Sequence, residues 1–204
     1  MVITISRQFG SGGREIGKNL ADGLHIPFYD KELINLAAKE SGISRDFFEK
    51  YDEQGSNSLL YSLSLGASAT INNEYGISSQ LPMSDKLFLI QNDIIKKVSM
   101  SPCVIVGRCA DYVLADRKDC INLFICADIK KRIRYAIDIH KINPDKAEEY
   151  IRKKDKSRAA YYNRYTDKKW GNPENYHLCI NSGELGVSRS VELIGYYLRQ
   201  KGMI

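Results

Sequence analysis

The 204-residue sequence contains no run of about 18 or more apolar residues, the length that a membrane-crossing helix requires. Its opening residues, MVITISRQ, lack the basic stretch, apolar stretch and small-residue cleavage site of a secretory leader, so the expected setting is cytoplasmic. Cysteines are few and odd in number: Cys103, Cys109, Cys120, Cys126 and Cys179. No two form a CxxC pair, which argues against a disulfide framework and against a zinc site and leaves reduced, mostly buried thiols. No internal repeat is visible. The net charge of +5 does not by itself indicate nucleic acid, and neither a nucleic-acid nor a membrane partner is expected. What remains is an ordinary folded chain, 43% hydrophobic and long enough for one sizeable domain.

The charge that is present is unevenly placed. Between Asp128 and Lys169 there are fourteen Lys and Arg against seven Asp and Glu, so this fifth of the chain carries more than the whole excess. The segment 128–170 is either a solvated helical face or an arginine-bearing flap that closes over an anionic substrate.

Apolar patterning predicts an α/β protein. VITIS (2–6), CVIVG (103–107) and INLFICA (121–127) are short, near-continuous apolar runs, the pattern of parallel strands covered on both faces. IPFYD and HLCIN (177–181) supply two further short strands. Ile16, Leu20 and Leu24 lie four apart on one face of a helix beginning at Arg14. Other helices are expected at 31–41, at 129–142, from Pro144, and from about Ser188 to Leu198. Ser84 is a candidate cap for a helix that Pro102 must stop. Residues 51–82, rich in Ser, Asn and Gly without strong periodicity, read as an irregular insertion within an insertion and helical region, 43–100, a candidate ligand-binding part. The plan is a parallel sheet of about five strands with helices on both faces.

The stretch ISRQFGSGGREIGKNLA joins the first strand to the first helix through three glycines. Backbone N–H groups at a helix start have no intrahelical partner, and the helix dipole favours negative charge there, so such a turn suits phosphate. Gly10, Ser11, Gly12 and Gly13 allow the close backbone approach. The pattern GxxxxGK[ST] puts a lysine on the β and γ phosphates and a hydroxyl on Mg²⁺, and neither stands in its usual place here. GxGxxG fits worse, since its third glycine would fall on Glu15. Arg14 begins a helix, where a cation opposes the dipole unless an anion sits with it.

SRQFGSGGREIG, GRCADY (107–112) and a YY...Y...W...Y segment together resemble the cytidylate kinase-like family of P-loop nucleoside monophosphate kinases. The resemblance covers residues 1–34, 103–134 and roughly 150–198. It implies a three-layer P-loop NTPase fold and phosphoryl transfer from ATP, with Mg²⁺, to a pyrimidine nucleoside monophosphate, CMP or dCMP foremost. Partners would then be small-molecule nucleotides; the sequence leaves the oligomeric state open. By this resemblance the phosphate-loop lysine falls on Gly13, and Arg14 or Lys18 is the candidate replacement. Gly10, Ser11, Gly12, Gly13, Arg14 and Glu15 would hold the donor phosphates, with Ser11 and Glu15 toward the metal. Arg132 and Arg134 stand where flap arginines reach the transferring phosphate, although residues two apart on a helix point differently. Asp30, Arg108, Asp111, Asp155 and Arg158 would hold the acceptor. Asp30 is equally a helix cap, Arg108 a partner for a core carboxylate, and Asp155 with Arg158 a surface ion pair. The tyrosines and Trp170 are read as packing, and the histidines carry no assigned chemistry. Two rivals stand beside the kinase: a non-catalytic module binding a nucleotide or phosphometabolite, and a kinase for another small acceptor.

Overall fold

A computed structural model describes residues 1–44 and 81–204; the expected insertion at 51–82 lies almost wholly outside the described residues. In chain order the elements are β1 (Val2–Arg7), α1 (Gly13–Leu24), β2 (Phe28–Tyr29), α2 (Glu32–Ser41), α3 (Met83–Val98), β3 (Cys103–Val106), α4 (Ala110–Val113), β4 (Cys120–Cys126), α5 (Ile129–His140), α6 (Pro144–Tyr165), β5 (Leu178–Asn181) and α7 (Ser182–Gln200). Two compact units divide them: Met1–Asp30 with Val98–Ile204, and Lys31–Lys97.

The larger unit is built on five parallel strands in the order β2-β3-β1-β4-β5. β1 is central, and its Val2, Ile3 and Ile5 are fully buried. It pairs Ile3 with Val104 on one side and with Ile121 on the other. Helices cover both faces, as such strands demand. α1 and α7 pack together on the sheet, placing Ile16, Leu20 and Ala21 against Ile194 and Leu198 in one core with the strands. Each buried Ile or Leu among them contributes about 1.5–3 kcal/mol.

Several expected boundaries shift for local reasons. α1 begins at Gly13 and ends at Leu24, closed by the left-handed backbone of His25 (φ 54°). Ser84 is no cap, because α3 already starts at Met83. α7 starts at Ser182, six residues earlier than expected, with Asn181 accepting from the Gly183 N–H; a non-helical Gly186 (φ 74°, ψ 172°) then kinks it. The GRCADY segment contains the short helix α4, preceded by three consecutive left-handed residues, Gly107, Arg108 and Cys109. All five cysteines are free thiols, and Cys103, Cys109 and Cys120 are buried. In the smaller unit, α2 ends at the left-handed Gly42, and Lys97 pairs with Glu40 at 2.5 Å.

Candidate functional site

β1 lies between β3 and β4, which the chain reaches in opposite directions from it, so the loop after β1 occupies the switch point where α/β sheets bind ligands. The loop is held from below. The Gln8 N–H donates to the Ile125 carbonyl (3.0 Å), and the Gln8 side chain accepts from the Ala127 N–H (3.2 Å). The Ser182 hydroxyl donates to the Ser11 carbonyl at 2.5 Å. Above these anchors Gly12 (φ 72°) opens α1 with no side-chain cap. The first turn of α1 thus presents its amides without a competing side chain, as an anion cradle needs.

Arginines converge on this loop from four elements and the β3–α4 turn. Arg7 ends β1, Arg14 starts α1, Arg108 sits in the left-handed turn after β3, Arg132 is on α5 and Arg158 on α6. Two carboxylates are interleaved with them. Asp30 accepts from Arg14 Nε at 2.7 Å and lies 3.5 Å from Arg7 Nη2. Asp155 accepts the Phe9 N–H at 2.7 Å and pairs with Arg132. Arg158 donates to the Arg7 carbonyl at 2.9 Å and lies over the Phe9 ring, 5.6 Å from its centroid. Burial, and then Arg158, pushes the Arg7 guanidinium down to about 9, against the opposing pull of Asp30; Arg108 and Arg14 push the same way. Burial is also the first cause of a lowered Arg158, with Arg108 and Arg132 adding to it. A neighbourhood in which five guanidiniums face two carboxylates is electrostatically suited to a polyanion.

The expected site residues separate into three groups. Gly10, Gly12 and Gly13 form the loop, and Asp30, Arg108, Asp155 and Arg158 gather round it. Asp155 and Arg158 hold the loop backbone itself, through Phe9 and Arg7. Of the two α5 arginines only Arg132 turns inward: it is buried, its Nη1 donating to the Phe9 carbonyl at 3.2 Å, while Arg134 is exposed. The remaining expected residues are placed as follows. Arg14 directs its Nε to Asp30 and lies 5.7 Å from the Phe28 ring centroid. Lys18 pairs along α1 with Asp22. Asp111 is buried and accepts from the Tyr162 hydroxyl at 2.7 Å, with burial raising its pKa. The Ser11 hydroxyl is also buried and donates to the Gln8 carbonyl at 2.9 Å. Glu15 is exposed on the first turn of α1, 3.5 Å from the Tyr135 hydroxyl. Among the described residues, no group of three or more His, Cys, Asp or Glu is arranged to hold a metal ion.

Arg7 and Phe9 were not singled out by sequence. Phe9 links the loop to the basic segment, its ring centroid 5.0 Å from that of His140 and 5.3 Å from that of Tyr150. A polar-flanked aromatic inside a glycine loop was the available signal. Left-handed Arg108 (φ 60°) and Cys109 (φ 53°) each cost about 1–2 kcal/mol. Such strain persists only where the surroundings over-determine it, and it clusters at ligand sites.

The sequence matches the model of the cytidylate kinase-like family over residues 2–184. No curated protein matches it. Among solved structures it is similar to an uncharacterised protein from Eubacterium ventriosum, at 25% identity and a TM-score of 0.71 over 98% of each chain. It is similar also to shikimate kinase from Bacteroides thetaiotaomicron, at 15% identity and a TM-score of 0.53 over 98% of each chain. A third is TT1252 from Thermus thermophilus, at 14% identity and 0.52 over 97% of each. With the all-parallel sheet, these likenesses show a three-layer α/β P-loop fold. No helix of the described residues is long and apolar enough to cross a membrane.

Proposed function

The chain belongs to the cytidylate kinase-like family, and from that premise we propose that it is a small-molecule kinase transferring the γ-phosphoryl group of ATP to a pyrimidine nucleoside monophosphate, CMP or dCMP. The arginine cluster over the loop 8–12 carries the reading. Phosphoryl transfer asks the protein for positioning and for positive charge on the phosphoryl oxygens, more than for a covalent participant. The α1 amides and the Arg7 guanidinium meet both demands on the donor side, with Arg132 and Arg158 fixing the loop backbone through the Phe9 and Arg7 carbonyls. Asp30 and Arg108 lie close enough to the same cluster to orient an acceptor phosphate, which is already a competent nucleophile once positioned.

Mg²⁺ bound with ATP would neutralise charge on the β and γ oxygens. It usually keeps several waters and takes one or two carboxylates besides the phosphates. Glu15, exposed on the first turn of α1, fits as such a contact; the Ser11 hydroxyl, buried and given to Gln8, does not. The pyrimidine acceptor rests on family membership alone.

Gly13, standing where a lysine is usual, favours a second reading: a non-catalytic module that binds a nucleotide or phosphometabolite. Measuring ADP release with a panel of nucleoside monophosphates and other small hydroxyl acceptors separates the two. CMP-dependent ADP release is the expected result. Saturable ATP binding without turnover on any acceptor would replace the kinase with the binding module.

A further inference from the structure

The pattern GxxxxGK[ST] can be laid on this loop with Gly12 as its second glycine. Its first glycine then falls on Arg7, its lysine on Gly13 and its hydroxyl residue on Arg14. Glycine has become arginine at one place, and lysine has become glycine at another six residues away. In the structure those two places face each other. A Cβ added at Gly13 would lie 2.7 Å from Arg7 Cβ and 3.1 Å from Arg7 Cγ, with Ile125 Cβ behind at 3.2 Å. These are stem atoms near the backbone and cannot swing aside. An arginine at 7 therefore requires glycine at 13, and a lysine at 13 requires a small residue at 7.

From this crossing the Arg7 side chain runs on to the end of β3. There Gly107 makes room for it: a Cβ at that position would collide with Arg7 Nη1. Among the described residues its carboxylate contact, Asp30 at 3.5 Å, is looser than the 2.7 Å bond that Asp30 receives from Arg14. The side chain is about 20% exposed. Four other candidate cations are committed elsewhere. Lys18 is with Asp22, Arg14 with Asp30, and Arg132 and Arg158 with loop carbonyls and Asp155.

We propose that Arg7 supplies the cation that the pattern's lysine would supply: its guanidinium, carried over Gly13 from the end of β1, binds the β and γ phosphoryl oxygens of the donor. The inference rests on the reading of this site as a nucleotide site and names the group that makes it work without the lysine. A guanidinium adds bidentate geometry to the charge, which a lysine lacks. Held near 9 by burial and by neighbouring arginines, Arg7 still carries its proton at neutral pH.

The test is calorimetric binding of ATP, inorganic pyrophosphate and adenosine, with melting followed by circular dichroism. The proteins are the parent, Arg7→Met, Arg7→Gly, Gly13→Lys and the double variant Arg7→Gly/Gly13→Lys. Arg7→Met keeps the stem packed over Gly13 and removes only the charge. It should lose at least tenfold in affinity for ATP and pyrophosphate and keep its affinity for adenosine. Gly13→Lys alone should melt lower than the parent, and the double variant should recover both melting and ATP affinity to within about threefold, restoring the usual order of the pattern. If the parent binds ATP and Arg7→Met binds it as tightly, the inference falls while the nucleotide reading stands. A double variant no better than either single one overturns it equally. A parent that binds neither ATP nor pyrophosphate removes the nucleotide reading and the inference together.

Discussion

Replacing Asp155 by alanine is expected to loosen the whole candidate site, and the cost can be worked from its contacts. Asp155 is 15% exposed in its side chain and its partner Arg132 9%. Breaking a buried ion pair by removing one member costs about 3–5 kcal/mol, because the surviving charge stays in a poor solvent. Partial exposure of Asp155 puts this pair at the lower end, about 3 kcal/mol. The Phe9 N–H also loses its acceptor, adding about 1 kcal/mol. For a chain of this size, the resulting loss of about 4 kcal/mol lowers the melting temperature by about 8–16 °C. Asp155→Asn keeps an oxygen for Phe9 and should recover about 1 kcal/mol of the loss. Urea unfolding followed by tryptophan fluorescence reads both variants, since Trp170 packs on Phe124 of β4 with ring centroids 5.4 Å apart. A loss under about 1 kcal/mol in Asp155→Ala would refute the assignment, leaving Asp155 and Arg132 as an ordinary surface pair.

Other consequences can be checked separately. Asp111 has its carboxyl pKa raised chiefly by burial, so the folded state binds more protons than the unfolded state from the ordinary carboxylate range up to that raised value; stability should fall as pH rises through this window. Asp111→Asn should flatten that part of a stability–pH profile and stabilise the protein at neutral pH, and an unchanged profile would assign the effect elsewhere. Tyr162→Phe removes the hydroxyl that donates to Asp111 and should cost about 1–3 kcal/mol in urea unfolding. Gly107→Ala places a methyl against the Arg7 guanidinium at a left-handed position (φ 81°). Calorimetry should show weakened pyrophosphate binding at least as clearly as denaturation shows lost stability.

The sheet was legible because its strands are written as contiguous apolar runs, and parallel strands buried on both faces admit little else. VITIS, CVIVG and INLFICA became β1, β3 and β4 with boundaries shifted by a residue or so. α7 was read late because Ser182-Gly183 looks like a turn. Its first turn forms because Asn181 accepts from the Gly183 N–H and Ser182 binds the loop from across the sheet, contacts that sequence periodicity does not record. The site was legible as a glycine loop and a set of arginines, but its internal pairing was not. Helical geometry allowed only one of Arg132 and Arg134 to face inward, and burial decided which. Arg7 escaped notice because it ends a strand whereas Gly13 begins a helix. Their contact exists only after the loop doubles back.

That contact, with the excess of arginine around it, leads to one further expectation. Arg7, Arg14, Arg108, Arg132 and Arg158 surround Asp30 and Asp155; burial first, and repulsion among the arginines after it, lowers the pKa values of Arg7 and Arg158. An anion of several charges relieves that repulsion in the folded state and has no such cluster to meet in the unfolded chain. By mass action a ligand at a hundred times its dissociation constant stabilises by about 2.7 kcal/mol, or about 5–10 °C in melting temperature for a chain of this size. Inorganic pyrophosphate should give such a shift. Sodium chloride at equal ionic strength only screens, and should give little. Equal shifts from both salts would mean that the arginines are merely shielded, so that the loop holds no phosphate and the argument for a phosphoryl donor at β1 fails with it.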